Sequence, residues 1–276
     1  MKYNTSKKTG IWLGGIIGLF IFAFCIWGID FSLTQNDAVL KIMLLIPAFI
    51  FLGMFIFVLI NGLAMNYYLS SNGMEIRWGL RRKFIPWEEI NEIIRIKGKS
   101  NLFSILGISW PGYTVGLYNI RGLGPARMYA TDINQGFLYL KTSKGFFGIT
   151  PKEIEEVARL IAEKSGKEIQ YLDMDTVPEE TKGKIISEDS SYRLLYILNI
   201  ILLLAFALYL GIFFPGSGAS RFIILLLVLA IGLFFFNTSN AARLFQFSHN
   251  GGYALLILGI IVTGTFFILS LVEISL

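Results

Sequence analysis

The sequence predicts an α+β membrane protein: an antiparallel β-barrel or sandwich, capped by a C-terminal helix and flanked by about five transmembrane helices, two before it and three after it. Three observations predict it. Long apolar runs stand at both ends of the chain. Short β-prone runs, punctuated by Gly or Asn about every ten residues, fill the middle. Near residue 150 the hydrophobic period switches from that of a strand to that of a helix.

The runs at the ends set the class. The chain is 54% hydrophobic and only 16% charged, against roughly a quarter charged in soluble domains. Residues 1–64 hold two apolar runs, 11–28 and 38–62, and residues 193–276 hold three, 194–214, 222–238 and 253–274. About 20 residues cross the hydrocarbon core as a helix. The first run has Lys7 and Lys8 before it, as a signal peptide would. No small-residue cleavage site follows it and a second span starts almost at once, so it is expected to stay as an uncleaved helix. Within the second run, Pro47 should bend the helix and Lys41 should snorkel to nearby headgroups. The run 222–238 is short enough to be re-entrant.

Lys and Arg in the flanks orient the spans. Lys2, Lys7 and Lys8 precede the first run, and Arg77, Arg81, Arg82 and Lys83 follow the second, whereas the loop 29–37 has neither Lys nor Arg. The N-terminus and the polar centre are therefore expected in the cytoplasm, with the C-terminus outside, in a multi-pass protein of the cell membrane. Placed beside a span, Arg77, Arg81, Arg82 and Lys83 suit contact with lipid headgroups. The net charge of +5 forms no basic face over a whole domain, so nucleic acid is not expected as a partner.

Residues 65–170 read as a separate domain. "NYYLSSNGMEIRWG" suggests a hairpin with a type I′ turn at Asn72-Gly73. "KFIPWEEINEIIRIK" reads as a strand with a bulge, and "VGLYNI", "ARMYAT", "GFLYLKT" and "GFFGIT" as four more strands. Thr150-Pro151-Lys152-Glu153 then looks like an N-cap, a first-turn Pro and a capping-box acid. Ile154, Val157, Ala158 and Ile161 follow at helical spacing, and Gly166 is a natural stop. Residues 171–192 are acidic, hold Pro178 and lose the pattern, as a flexible linker would.

Strands followed by a capping helix is the order of the pleckstrin-homology (PH) superfold. "FIPWEEINEI" resembles the Trp-containing segment of the bacterial PH-like domains. "PGYTVGLYNIRGLGPARMYATD" resembles the Gly-rich centre of a membrane-attached subgroup, and "LKTSKGFFGITPKEIEEV" the terminal hairpin and helix entry. The resemblance implies a membrane-associated binding or scaffolding module. A few membrane-attached relatives are linked to immunity against antimicrobial peptides.

Chemistry finds little footing. "GLGPAR" lacks the Lys-Ser pair of a phosphate loop and the helix that must follow it, so the glycines of 110–132 read as turns and bulges. The single His249 and single Cys25 make neither a metal site nor a catalytic triad, and Glu88, Glu89 and Glu92 read as a solvated face. No enzyme, metal or cofactor is expected. The functional alternative for the Gly-rich stretch is a ligand or partner surface of Tyr113, Tyr118, Arg121, Arg127 and Tyr129, because Tyr and Arg are enriched at interfaces. In the spans, Asn199 reads as a helix–helix hydrogen bond, with Lys41 and Glu273 near the boundaries. The function expected is recognition of a membrane partner, a lipid headgroup or a peptide. The alternative is a permease or intramembrane enzyme subunit with a regulatory PH-like domain and a hydrated cavity at Asn199.

Overall fold

The computed structural model describes residues 1–6, 8–110, 112–133, 136–214 and 218–272; Lys7 and Glu273 lie outside the described residues. The chain divides into two compact units, Met1–Gly18 with Met54–Ile185, and Leu19–Gly53 with Ile186–Leu276. Among the described residues five helices are long and apolar enough to cross a membrane: α1 (Thr9–Ser32), α2 (Ala38–Leu63) and three that follow the β-domain.

The first unit is a β-domain. Strands β1 (Lys2–Asn4), β2 (Asn66–Leu69), β3 (Gly73–Trp78) and β4 (Arg81–Pro86) form a four-stranded sheet in that order. Strands β5 (Ile90–Lys97), β6 (Leu102–Trp110), β7 (Tyr113–Ile120), β8 (Gly124–Ala130), β9 (Phe137–Thr142), β10 (Gly145–Ile149) and β11 (Ile169–Asp173) form a seven-stranded sheet, ordered β11-β5-β9-β10-β8-β7-β6. Most pairs are antiparallel, as expected, but β10 with β8 and β11 with β5 run parallel. One core joins the two sheets to helix α3 (Ile154–Ser165), with Tyr67, Met74, Ile85, Trp87, Phe147, Val157 and Ile161 all buried. A second core lies on the other face of the larger sheet, around Tyr118, Met128, Phe137 and Tyr139.

The expected strands are present, and the β-domain departs from expectation at three places: within the strands, at the helix entry and in the linker. The β2–β3 hairpin closes at Leu69↔Met74 over the four residues Ser70–Gly73, so its turn is centred on Ser71-Asn72, not on Asn72-Gly73. Ser70 N–H and Oγ both donate to the Gly73 carbonyl. Gly73 serves close packing instead: an added Cβ would stand 2.5 Å from the Ile85 carbonyl oxygen. In "KFIPWEEINEIIRIK" the strand breaks in two at a 3₁₀ turn, Trp87–Glu89, and the expected bulge lies between Ile90 and Glu92. Glu92 and Lys141 pair at 2.7 Å on the exposed rim, and Glu89 pairs with Lys144.

The second correction concerns the helix entry. Glu153, not Thr150, occupies the cap position of α3, and it makes no side-chain cap bond. The backbone at 150–152 is already engaged by the N-terminal segment: Ser6 N–H donates to the Thr150 carbonyl, and Lys152 N–H to the Asn4 carbonyl. Thr150 Oγ1 instead accepts from Thr131 N–H at 2.8 Å. The exit matches expectation, because Gly166 is left-handed at φ 66° and ψ 26°.

The third correction is the linker. Within 171–192, the end of β11 adds to the β5 edge and Met174 is fully buried in the second core with Leu172 and Val177 against it. A short helix α4 (Glu179–Lys182) and a 3₁₀ turn at Ile186–Glu188 follow. The acidic side chains before Asp189 face water while every few residues an apolar one reaches inward, a spacing too sparse to register as a pattern, and Asp189 itself is buried, accepting from Tyr192 N–H at 2.6 Å and Tyr253 Oη at 2.8 Å.

In the second unit, α5 (Ser190–Phe213), α6 (Arg221–Phe245) and α7 (His249–Val272) pack together. The expected short fourth span is corrected to a 25-residue helix, about 37 Å at 1.5 Å per residue. In its polar tail Thr238 and Asn240 donate to the carbonyls of Phe234 and Phe236, which satisfies their side chains within the helix. Lys41 reaches Asp30 at 2.6 Å and the carbonyls of Asp30 and Leu33, capping the last turn of α1. Asn199 is buried, and its Nδ2 donates to Leu195 O at 2.9 Å and across to Leu256 O of α7 at 3.0 Å. Asn199→Leu is expected to weaken the α5–α7 pairing by about 0.6–2 kcal/mol; reversible unfolding in bicelles or mild detergent, read as ΔΔG against the parent, measures it.

Candidate functional site

The geometry of the β-domain is set where it meets the start of α1 and the last turns of α2. Tyr113, the first residue of β7, is fully buried there. Its hydroxyl accepts from Trp78 Nε1 at 2.6 Å and donates to the Val58 carbonyl of α2 at 3.3 Å. The Trp110 ring lies 4.8 Å from it, and Ile11, Val58, Met65 and Val115 complete the buried cluster. Gly62 gives α2 room, since an added Cβ would stand 2.7 Å from the Tyr113 ring. Burial pushes the phenol well above its ordinary pKa, partly offset by the hydrogen bond from Trp78. Tyr113 therefore ties both sheets to α2 and offers no free surface.

The other residues of the expected ligand surface do not converge on one spot. Val115 pairs with Tyr129 and Leu117 with Arg127, so these four share the Tyr113 face, whereas Tyr118 pairs with Ala126 and points to the opposite face. Tyr118 is buried in the second core. Tyr129 is half-buried between clusters, and its carbonyl accepts from Tyr67 Oη at 2.6 Å. Arg121 sits in the turn after β7, over the Phe103 ring at 5.6 Å. Arg127 is exposed. The alternation that separates Tyr113 from Tyr118 was readable, but which face was covered was not. The glycines around them hold turns: Gly112 has φ 83°, and any Cβ on it would press into Gly10 of α1.

The basic residues lie on the β3–β4 hairpin, whose tip is Gly79-Leu80. Gly79 has φ 58°, and a side chain there would collide with Asn61 of α2. Trp78 packs edge-on against Phe57 of α2 at 5.8 Å. The tip is thus pinned beside the last two turns of α2, and Leu80 on it is 93% exposed. Arg81 and Arg82 are exposed and Lys83 half-buried; the Arg81 guanidinium lies 6.0 Å from the Trp78 ring and the Lys83 ammonium 5.7 Å from Phe147. Arg77 is committed otherwise. Its guanidinium makes two hydrogen bonds to Glu75, at 2.8 and 3.1 Å, and lies 3.9 Å over the Tyr68 ring. The hydrogen-bonded Arg77 holds Glu75 below the usual carboxylate range. That contribution to stability is present at neutral pH and is lost as pH falls through the depressed value.

Lys8 marks the same level. Its ammonium donates to the Leu63 carbonyl at 2.6 Å, capping the C-terminus of α2, and burial lowers its pKa. The site so assembled is an apolar hairpin tip rimmed by arginines, set beside the end of a span. Among the described residues no three of His, Cys, Asp and Glu come together as metal ligands. Leu80 and the aromatic contacts to α2 were not singled out from the sequence; the signal was an apolar residue between basic ones at a tight turn.

Tyr113→Phe should leave the partly buried Trp78 N–H without its acceptor and the buried Val58 carbonyl without its side-chain donor, and cost about 1–3 kcal/mol. Trp78→Phe and the double variant complete a cycle, and a coupling energy near zero in thermal or denaturant unfolding would contradict the bond.

Comparison with known proteins adds one match. No curated protein and no solved structure matches the chain. Residues 65–165 match the family model described as a bacterial PH domain. The chain thus carries a bacterial PH-like domain, spliced between helices apolar enough to span a membrane two before it and three after it.

Proposed function

We propose that the PH-like domain lies on the cytoplasmic face of the cell membrane and binds anionic lipid headgroups through the β3–β4 hairpin, as a binding or scaffolding module without catalytic activity. One observation supports the reading: Leu80, Arg81 and Arg82 are held beside the last turns of α2, and the end of a spanning helix is where headgroups would stand. Exposed Arg beside a bilayer attracts anionic lipid at about 1 kcal/mol per charge. The sidedness rests on the flanking charges. Pairing of β1 with β2 keeps Lys2 on the same side as the domain, so its charge, that of Lys8 and those of Arg81, Arg82 and Lys83 add up for one side of the membrane.

A membrane protein or peptide partner would use the same exposed hairpin. The permease or intramembrane-enzyme reading has less to support it. Asn199 is engaged between helices, and a cavity of about 640 Å³ among the described residues of the second unit is lined by apolar side chains and Tyr196, without Asn199.

The test reconstitutes the full chain in nanodiscs of phosphatidylcholine with a minority of phosphatidylglycerol and reads which lipids are retained, by native mass spectrometry. Arg81→Gln with Arg82→Gln and Lys83→Gln should cut phosphatidylglycerol retention by roughly a hundredfold in preference if each charge contributes about 1 kcal/mol. Raised salt should weaken retention by the parent. Equal retention by parent and variant would rule out the hairpin as the lipid site.

A further inference from the structure

A second surface of the β-domain lacks any cover of its own. The stretch 102–118 contains no charged residue, yet β6 within it is the edge strand of the seven-stranded sheet. Leu106, Ile108 and Trp110 share a face with Leu117, Val115 and Tyr113, their cross-strand partners. At the Trp110–Tyr113 end this face is packed against the spans. The Trp110 ring is 5.8 Å from Phe55 of α2, and its indole lies where a side chain on Gly14 of α1 would stand. Further along, the cover stops: Ile108 is 40% exposed and Leu106 76%. A bulge between Ser104 and Leu106 adds Ile105, 49% exposed. In water an uncharged apolar edge of this kind invites aggregation, and soluble proteins guard such edges with charge.

Depth explains it. Phe55 stands eight residues before the end of α2 at Leu63, about 12 Å along the helix axis. Trp110 sits level with it. Ile108 and Leu106 lie two and four residues back along β6, at most about 13 Å away at 3.3 Å per residue. The bare row therefore starts at the height of Phe55 and stands no more than about 13 Å from it, a distance close to that from Phe55 to the end of α2. Arg127, exposed on the same face opposite Leu117, is placed to reach the phosphates from the rim of this row. The open backbone edge sets a limit on depth, since unpaired strand groups are not tolerated in the hydrocarbon itself.

We propose that the β6–β7 hairpin is seated in the bilayer interface, with Leu106 and Ile108 among the upper acyl chains and Arg127 at the phosphate level. The occupant of the face is lipid. The proposal is independent of headgroup choice by the β3–β4 hairpin, because it is driven by apolar contact and holds in zwitterionic lipid.

The test uses the full chain with Cys25→Ala, carrying Leu106→Cys or Ile108→Cys labelled one at a time with an NBD fluorophore, in pure phosphatidylcholine vesicles. Glu163→Cys on α3, at an exposed position, is the reference, and thermal unfolding matched to the parent verifies the fold of each. Blue-shifted emission at 106 and 108, quenched several-fold more by nitroxide-bearing lipid than at 163 and shielded from aqueous iodide, is the expected result. Emission and iodide quenching equal to those at 163 would overturn it. So would a blue shift that nitroxide lipids do not quench, accompanied by crosslinking of Leu106→Cys between two copies, which would assign the face to a second copy of the chain.

Discussion

The β-domain depends on two linked hydrogen bonds at the end of α2, one partly and one fully buried. The Trp78 indole donates to the Tyr113 hydroxyl, which donates to a carbonyl of Val58. The Tyr113 hydroxyl is polar and removed from water, so it must be satisfied, and an unmade bond there costs more than the net value of a made one. The chain of bonds joins a strand of the small sheet, a strand of the large sheet and a helix apolar enough to span the membrane. With that junction fixed, Gly79 and Gly62 close the remaining distance, and the β3–β4 tip has one height relative to α2.

The domain is also sewn together by segments that stand apart in sequence. Residues before the first helix supply β1 and occupy the backbone at 150–152, which would otherwise start α3. Residues after α3 supply β11 and the buried Met174. The compact unit therefore begins before α1 and ends near Ile185, wider than the 65–165 stretch matched by the family model. Edge strands explain why: β2 and β5 would each present unpaired backbone without β1 and β11, and a small antiparallel core needs those edges closed.

Two hairpins then stand beside the α2 end with different chemistry. The β3–β4 hairpin carries arginines around one exposed Leu, and the β6–β7 hairpin carries apolar side chains and no charge. The first suits headgroups and the second suits the layer beneath them. Their spacing is set by the Trp78–Tyr113 bond, because Trp78 leads into one tip and Tyr113 leaves the other.

The apolar runs, the strand succession from residue 66 to 149 and the amphipathic stripe of Val157, Ala158 and Ile161 were legible in order along the chain, because span length and hydrophobic period are local properties. So was the service of the glycines at turns. The role of Tyr113 was not, since a Tyr at the start of a strand reads equally as a binding residue or a buried anchor until its hydroxyl partners, at positions 78 and 58, are known. The same holds for Arg77, claimed by Glu75 and Tyr68, and for residues 171–185, whose buried members meet strands about 80 residues away in sequence. Composition and period establish membrane helices around a β-rich domain; contacts between distant residues assign which polar side chains are consumed in holding it together and which remain at the surface.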